Sequence, residues 1–186
     1  MLSRAPMSDR NARRRPTIEE HAPYFERYIG LVPETDIVSA LDIQAALVER
    51  WPARVTPEKE DVGYAAGKWT PRQVMGHLTD TERVFAYRAL RISRLDLTPL
   101  PGFDQDPFVA HSPDADVPFQ ALVDEFVMLR RANLPLFRRL DDAAWSAIGS
   151  SSHAPLSARA AAYIMVGHVR HHATLFRDRY GLMLEA

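Results

Sequence analysis

The chain has 186 residues, a length that suits a single domain able to bury most of its apolar surface. Its 23 basic and 24 acidic residues are interspersed, so the basic stripe that marks a nucleic-acid surface is missing. The sequence contains no cysteine, which excludes disulfides, thiolate metal sites and a cysteine nucleophile. Absence of cysteine also suits a reducing cytoplasm, where we expect the protein to be located.

A basic arm opens the chain. Five arginines fall within the first fifteen residues, with almost no apolar content, and we predict that residues 1–17 are disordered. The arm lacks the central apolar run of a secretory signal, and no apolar stretch approaches the roughly 20 residues that span a bilayer. We therefore expect no membrane contact and no nucleic-acid partner, with binding of nucleic acid by the arm as the alternative. Residues 18–186 are predicted to form one domain.

Helical periodicity dominates from there on. The first long helix is predicted from Asp36, whose carboxylate can cap its first turn, to about Ala53. An aromatic-rich lead-in over residues 24–32 is expected to pack along the helices. The second helix opens at Thr70 with a capping box and a proline at its first position, and no breaker interrupts it before about Ser93.

The second half of the chain continues this pattern after a loop. Residues 98–118 are rich in Pro, Asp and Gly, and residues 101–108 are predicted to be neither helix nor strand. A third helix is predicted over residues 119–140, kinked at Pro135. A fourth is predicted from an N-cap at Ser157 to just before Gly181. Strand signals are weak throughout, so the predicted fold class is all-α, a four-helix bundle.

Three of the seven histidines occupy inward-facing positions. His77 lies on the largely apolar face of the second helix. His168 and His172 are one turn apart on the fourth helix, so their imidazoles can bind one ion from one rigid element. His77 alone would be read as a core residue, and the spacing of the other two also arises by chance. Together the three favour one divalent metal, with a histidine cluster that holds no metal as the alternative.

The remaining polar residues carry weaker expectations. His171 points away from His172, and the other three histidines lie in irregular segments: His21, His111 and His153. Glu82 lies about 140° around its helix from His77, so a ligand role is not expected. Asp104 and Asp106 are expected to be solvated, with a position at the mouth of the pocket as the alternative. Arg83 and Arg88 are expected to form interhelical salt bridges, with pairing to ligand anions as the alternative.

Five short motifs occupy residues 67–70, 74–78, 82–88, 101–106 and 167–172. In this order and spacing they resemble the DinB-like superfamily of damage-inducible, YfiT-like four-helix bundles. The resemblance covers nearly the whole predicted domain, from about residue 24 to about residue 180.

The resemblance implies a bundle of the DinB/YfiT-like type, with one divalent metal bound by three histidines that match His77, His168 and His172. Open positions on the ion would admit water. Members of the superfamily are described as metal-dependent hydrolases, and some are transferases or isomerases that use a low-molecular-weight thiol. Pro135 departs from the pattern and affects the expected path of the third helix, not the ligands.

For this chain the resemblance implies a metal-dependent hydrolase or thiol-dependent transferase that acts on a small molecule. The implied cofactors are Zn or Ni, with or without a low-molecular-weight thiol, and the implied assembly is a homodimer. The catalytic group would be a water or thiol held by the ion, which lowers its pKa towards neutrality. The alternative is a non-catalytic bundle in which the metal only tethers helices, as in a binding or stress-response protein.

Overall fold

Residues 14–186, the part of the chain that the computed structural model describes, contain eight α-helices, one β-hairpin and several short 3-10 or π turns. In chain order the elements are α1 (Glu26–Ile29), α2 (Ile37–Val48), α3 (Pro57–Glu60), α4 (Pro71–Ser93), α5 (Gln105–His111), α6 (Phe119–Arg138), α7 (Asp142–Ser146), β1 (Ile148–Ser151), β2 (Ala154–Ser157) and α8 (Ala158–Leu175). Four of them are long: α2, α4, α6 and α8. The predicted helical architecture is confirmed.

The four long helices form a closed ring of contacts. Helix α4 packs against α6 and α8, and α2 packs against the same two helices from the other side. Helix α8 is buried along almost its whole length, so the core is built around it. One cluster of buried side chains packs on its first half, through Val166, and a second packs on the half that begins at Val169. The two inward histidines of α8 lie at and just beyond this junction.

The two hydroxyl caps that were predicted, Thr70 and Ser157, are both present at the starts of α4 and α8. The Thr70 hydroxyl accepts from the amide of Gln73 at 3.3 Å, and the Gln73 side chain accepts from the amide of Thr70 at 2.9 Å. Ser157 Oγ accepts from the amide of Ala160 at 2.9 Å, which opens α8. These caps satisfy amides that have no partner inside the helix. They fix where the two histidine-bearing helices begin.

The first predicted helix is shorter than expected. Asp36 caps α2 as predicted, accepting from Ser39, but the helix ends at Val48 and a separate 3-10 turn covers Trp51–Arg54. The reason is Pro52, because it has no N–H to donate to the carbonyl of Val48 and its ring crowds that carbonyl. Helix α6 likewise ends at Arg138, before the predicted residue 140, and continues without a break through Pro135.

The prediction that residues 101–108 contain no helix is wrong. Helix α5 begins at Gln105, because the Asp104 carboxylate accepts from the amide of Asp106 at 3.1 Å. Pro107 stands in the first turn of α5, where its missing N–H costs no intrahelical hydrogen bond.

The hairpin was not predicted. Strands β1 and β2 pair antiparallel through Ser151 and Ala154, and the turn between them places Ser152 and His153 at φ of 53° and 63°. This is the backbone of a two-residue hairpin turn, for which Asn-Gly is the usual sequence signal. Leu100 pairs beside the hairpin, accepting from the amide of Ser152 at 3.0 Å.

The aromatic lead-in packs on the bundle as expected, with Tyr28, Ile29 and Val32 buried. The predicted disordered arm lies largely outside the described residues, which begin at Arg14. Within them, Arg14 pairs with Glu20 at 2.8 Å, and Arg15 donates to the carbonyl of Ile29 at 2.9 Å. Among residues 14–186, none of the helices is both long and apolar enough to span a membrane.

Gly167 permits the closest approach between α1 and α8. A Cβ at this position would lie 2.0 Å from the backbone carbonyl oxygen of Tyr28, so α1 must move if the side chain grows. We expect Gly167→Ala to lower the free energy of unfolding by about 1–3 kcal/mol, as overpacking does in other cores. Urea denaturation measures the change. Thr174→Ala, at an exposed position on the same helix, should stay within about 0.5 kcal/mol of the wild type, and equal effects of both would contradict the steric account.

Candidate metal centre

Three histidines converge in the interior between α4 and α8. His77 Nε2 lies 3.0 Å from His168 Nε2, and His172 Nε2 lies 3.1 Å from the same atom. All three side chains are buried, with 3–6% of their surface exposed. Their ligand atoms lie within 4.8 Å of one another, and they are the cluster with metal-ligating geometry found in residues 14–186. The structure thus brings together the three histidines selected from the sequence.

The ring nitrogens fit a shared cation better than a hydrogen-bonded set. A neutral imidazole nitrogen carries either one proton or one lone pair, yet His168 Nε2 faces two other Nε2 atoms at hydrogen-bond distance. Three nitrogens bound to a tetrahedral zinc at the usual bond length would be about 3.3 Å apart, close to the two distances seen. His172 Nδ1 is buried without a partner among the described residues, so nothing outside the cluster sets the tautomer of this ring.

The three imidazoles are held in their uncharged form. Burial lowers the pKa of His77 to about 4, and the nearby His171 acts in the same direction. Burial also lowers the pKa of His168 and of His172 well below 6.5, and repulsion from the other histidines adds to it. Uncharged imidazole is the form that ligates a metal. At neutral pH the cluster can therefore accept a cation without first releasing protons.

Aromatic rings fix the orientation of these side chains. Tyr28 meets His168 edge-on at a centroid distance of 5.2 Å, and Trp69 packs on His77 at 5.0 Å. His171 is half-buried and lies outside the cluster, against Tyr28 at 5.4 Å. The other histidines make local contacts elsewhere: the ring nitrogens of His21 and His111 each lie within 3 Å of a nearby carbonyl oxygen.

A buried ion pair next to the cluster ties the four long helices together. Arg130 of α6 is fully buried and donates to Glu82 of α4 at 2.9 Å, to Gln44 of α2 at 2.9 Å and to the carbonyl of Met165 of α8 at 3.4 Å. Asn133 gives Glu82 a second donor at 3.0 Å. Glu82 is thus occupied by the fold, and it lies outside the metal-ligating cluster found in residues 14–186. The network holds α8 in place one turn before His168.

The sequence model of the DinB superfamily matches residues 4–175. The chain belongs to the DinB superfamily. Among solved structures it is similar to YfiT from Bacillus subtilis, with 20% sequence identity and a TM-score of 0.68, over 91% of this chain and 94% of that one. That protein is described as a probable metal-dependent hydrolase with an unusual four-helix bundle topology. A comparison with curated proteins finds no match.

In this DinB-superfamily chain a cavity of about 500 Å³ opens beside the histidines. His77 and His168 line it, so a cation held by the cluster would face the cavity on one side. Its walls combine α4 with the N-terminal segment, the loop before α5 and the hairpin. The other lining residues are Ala22, Tyr24, Phe25, Tyr28, Thr81, Phe85, Arg88, Phe103, Asp104, Gln105, Ser151, Ser152, Ala154 and Ile164.

The structure decides between the alternatives that the sequence left open for two aspartates and two arginines. Asp104 lines the cavity, while Asp106 does not. Arg83 makes the expected interhelical salt bridge, to Glu125 of α6. The expectation of such a bridge for Arg88 is wrong: no carboxylate lies within 4.0 Å of its guanidinium among residues 14–186. Its side chain lines the cavity instead, on the same face of α4 as His77.

Thr81 was missed as a cavity residue. It follows His77 by one helical turn, and its hydroxyl is buried without a hydrogen-bond partner in the described part of the chain. The available signal was its spacing, since residues four apart lie on one face of a helix. The hairpin side of the cavity carried no comparable signal, because its residues are far from α4 in the sequence.

Proposed function

We propose that this protein is a metal-dependent hydrolase that binds one divalent ion, zinc or nickel, through His77, His168 and His172. The observation that carries the proposal is the convergence of three buried, uncharged imidazoles at one side of a cavity. Three protein ligands leave a coordination position open, as catalytic zinc sites do, whereas structural zinc sites usually have four protein ligands. The similarity to YfiT, itself described as a probable metal-dependent hydrolase, supports the same reading.

The chemistry follows from the donor set. A divalent ion at three neutral imidazoles would lower the pKa of a water and polarise a substrate carbonyl. The chain's own residues supply the surroundings: the aromatic rings of Phe25 and Phe85 exclude water, and Tyr28, whose pKa is raised by burial, keeps its phenolic proton as a donor at the cavity wall. The volume of the cavity suits a small-molecule substrate.

Single alanine substitutions test the metal centre. His77→Ala, His168→Ala and His172→Ala should each reduce the metal content of untagged protein from stoichiometric to background, because each removes one of three ligands. His171→Ala is the matched control, since His171 is adjacent to His172 but outside the cluster, and its metal content should be unchanged. Elemental analysis after purification without chelators gives the result, with circular dichroism to confirm folding. Stoichiometric metal in the His168→Ala variant would contradict the assignment.

Turnover separates an enzyme from a metal-tethered bundle. Zinc-loaded wild type should hydrolyse a member of an ester and amide panel, and the metal-free protein should not. Running the panel with and without a low-molecular-weight thiol distinguishes hydrolysis from thiol-dependent transfer, for which the same open position would hold the thiol. If metal removal abolishes folding and no substrate is turned over, the ion has a structural role and the hydrolase proposal fails.

A further inference from the structure

Arg88 is a buried cation without an acidic partner among residues 14–186. Three arginines are buried among residues 14–186, and two of them hold a glutamate: Arg130 pairs with Glu82 at 2.9 Å and Arg159 with Glu20 at 2.8 Å. Arg88 is 3% exposed and donates to the carbonyl of Pro101 at 2.9 Å, but no carboxylate within salt-bridge distance faces it in the described chain. A charge buried without a counter-charge is costly, and here burial lowers the pKa of the guanidinium.

Thr81 is a second buried polar residue that lines the same cavity. Thr81 is 5% exposed, and its Oγ1 makes no hydrogen bond to any described residue. Thr79, on the neighbouring face of α4, instead donates its hydroxyl to the carbonyl of Met75 at 3.1 Å. Thr81 could donate to the carbonyl one turn earlier in the same way but does not, and a buried hydroxyl without a partner is destabilising. Thr81 and Arg88 line one cavity, so one ligand can supply both the missing hydrogen-bond partner and the missing counter-charge.

The two groups and the metal centre are arranged in a row. His77, Thr81 and Arg88 share one face of α4, and eleven residues of helix span about 16 Å. Helical side chains lean towards the N-terminus, and the Arg88 guanidinium carbon lies 4.9 Å from the centre of the Phe85 ring. The guanidinium therefore lies nearer to the histidines than the Arg88 backbone does, and the gap between them is on the order of 10 Å. The wall between them is apolar, with Phe25, Phe85 and Ile164.

We propose that the cavity binds a small monocarboxylate: its carboxylate pairs with Arg88, its apolar body lies on the aromatic wall, and its other end faces the metal centre. Thr81 donates a hydrogen bond to a polar atom between the two ends.

A planar guanidinium matches a carboxylate through two parallel hydrogen bonds. Arg88 is the one arginine or lysine among the described residues that line the cavity, and a single cation suits one negative charge better than the two of a phosphate. The carboxylate of Asp104 at the cavity rim, which accepts from the amide of Asp106, disfavours a second charge on the ligand. The metal-facing end of this assignment rests on the proposed function, whereas the Arg88 end does not.

Metal-free protein tests the Arg88 end alone. At pH 8 the histidines are uncharged, so they cannot attract a carboxylate in place of Arg88. The probe is 3-phenylpropionate, and its binding is compared by calorimetry with that of 3-phenylpropionamide. The carboxylate should bind about tenfold more tightly than the amide, the gain of a charge-assisted hydrogen bond. Arg88→Gln should remove this preference and Arg88→Lys should keep part of it. Arg83→Gln, which alters an exposed arginine on the same helix, should leave it intact. Equal binding of the two compounds, binding of neither, or an undiminished preference in Arg88→Gln would overturn the proposal.

Thr81→Val provides a variant that keeps the shape of the core. Because it removes a hydroxyl without a partner, it should leave the free energy of unfolding unchanged or raise it, and it should weaken binding of 3-phenylpropionate a few-fold. A large loss of stability would show that Thr81 serves the fold, and would overturn its assignment to the ligand.

The zinc-loaded protein tests whether one ligand can contact the metal centre and Arg88 at the same time. Suberic acid monohydroxamate, which carries a metal-binding group and a carboxylate, should bind about tenfold more tightly than its terminal amide, again through Arg88. His168→Ala should lose the hydroxamate contribution while metal-free binding of 3-phenylpropionate persists. If the hydroxamate adds nothing to binding by zinc-loaded wild type while 3-phenylpropionate still binds, the proposed metal function alone fails. If the carboxylate preference is absent with zinc still bound, the carboxylate assignment alone fails.

Discussion

Replacing Glu82 by alanine is expected to lower the free energy of unfolding by about 3–5 kcal/mol, because it leaves Arg130 buried without its counter-charge. Arg130 has no exposed surface and donates to Glu82 Oε1 at 2.9 Å. Its other partners, Gln44 and the Met165 carbonyl, are neutral acceptors and cannot replace the carboxylate. Since Arg130 joins α6 to the other three long helices, we expect the loss throughout the bundle. Urea denaturation of metal-free protein gives the measurement.

Two controls separate the buried charge from ordinary ion pairing. Glu125→Ala breaks the exposed pair with Arg83 on the same two helices and should cost less than about 1 kcal/mol, since exposed salt bridges contribute little. The double variant Glu82→Leu with Arg130→Met removes both charges and should recover most of the lost stability, because an apolar pair of similar volume carries no desolvation penalty. If the single Glu82 variant is no less stable than Glu125→Ala, Arg130 is not held by this carboxylate.

Acidification of metal-free protein should lower its stability steeply between about pH 6.5 and pH 4. Burial lowers the pKa of His77 to about 4 in the folded state, against an ordinary 6.5 when unfolded. Below pH 6.5 the unfolded chain therefore binds a proton that the folded chain does not, so the free energy of unfolding falls as pH falls. The stabilising contribution is fully present above pH 6.5 and is lost as pH decreases through this window. His77 alone accounts for on the order of 3 kcal/mol over the full range, and His168 and His172 shift in the same direction.

The comparison with His77→Gln isolates this contribution from other acid effects. The variant has one histidine fewer to protonate, so its free energy of unfolding should fall less between pH 7 and pH 4.5. The other titratable groups are common to both proteins, so their effects cancel in the comparison. Identical pH dependence of the two proteins would mean that His77 is protonated as readily in the folded state as in the unfolded one.

Local features of the helices could be read from the sequence because they depend on neighbours within a few residues. The capping box at Thr70 and the cap at Ser157 place the starts of α4 and α8, and a helical period of 3.6 residues then puts His77 and His168 on inward faces. For the same reason the separation of His171 from the cluster was predictable. Helix α5 also begins at a local cap, Asp104, but the surrounding Pro, Asp and Gly residues are typical of a loop and mask this signal.

The candidate metal centre was predictable to the level of its residues but not of its geometry. One helix supplies His168 and His172, so their proximity follows from a single turn of α8. The approach of His77 to 3.0 Å of His168 depends on how α4 packs against α8. Periodicity alone gave three inward histidines, and the resemblance to the superfamily selected them as one group. The lowered pKa values follow from burial, which no single helix could establish.

The sequence by itself determined the four long helices, their caps and the inward direction of the three histidines, because these follow from hydrogen bonds and side-chain periodicity within one segment. Only the tertiary structure decided that Glu82 is occupied by Arg130, from 48 positions along the chain. It also decided that no carboxylate within residues 14–186 lies at salt-bridge distance from Arg88. The cavity likewise depends on the tertiary structure, since its walls come from α4, the loop near Pro101 and the hairpin at Ser151. Whether a buried charge is neutralised or left for a ligand depends on which distant side chains reach it. That is a property of packing and not of local sequence.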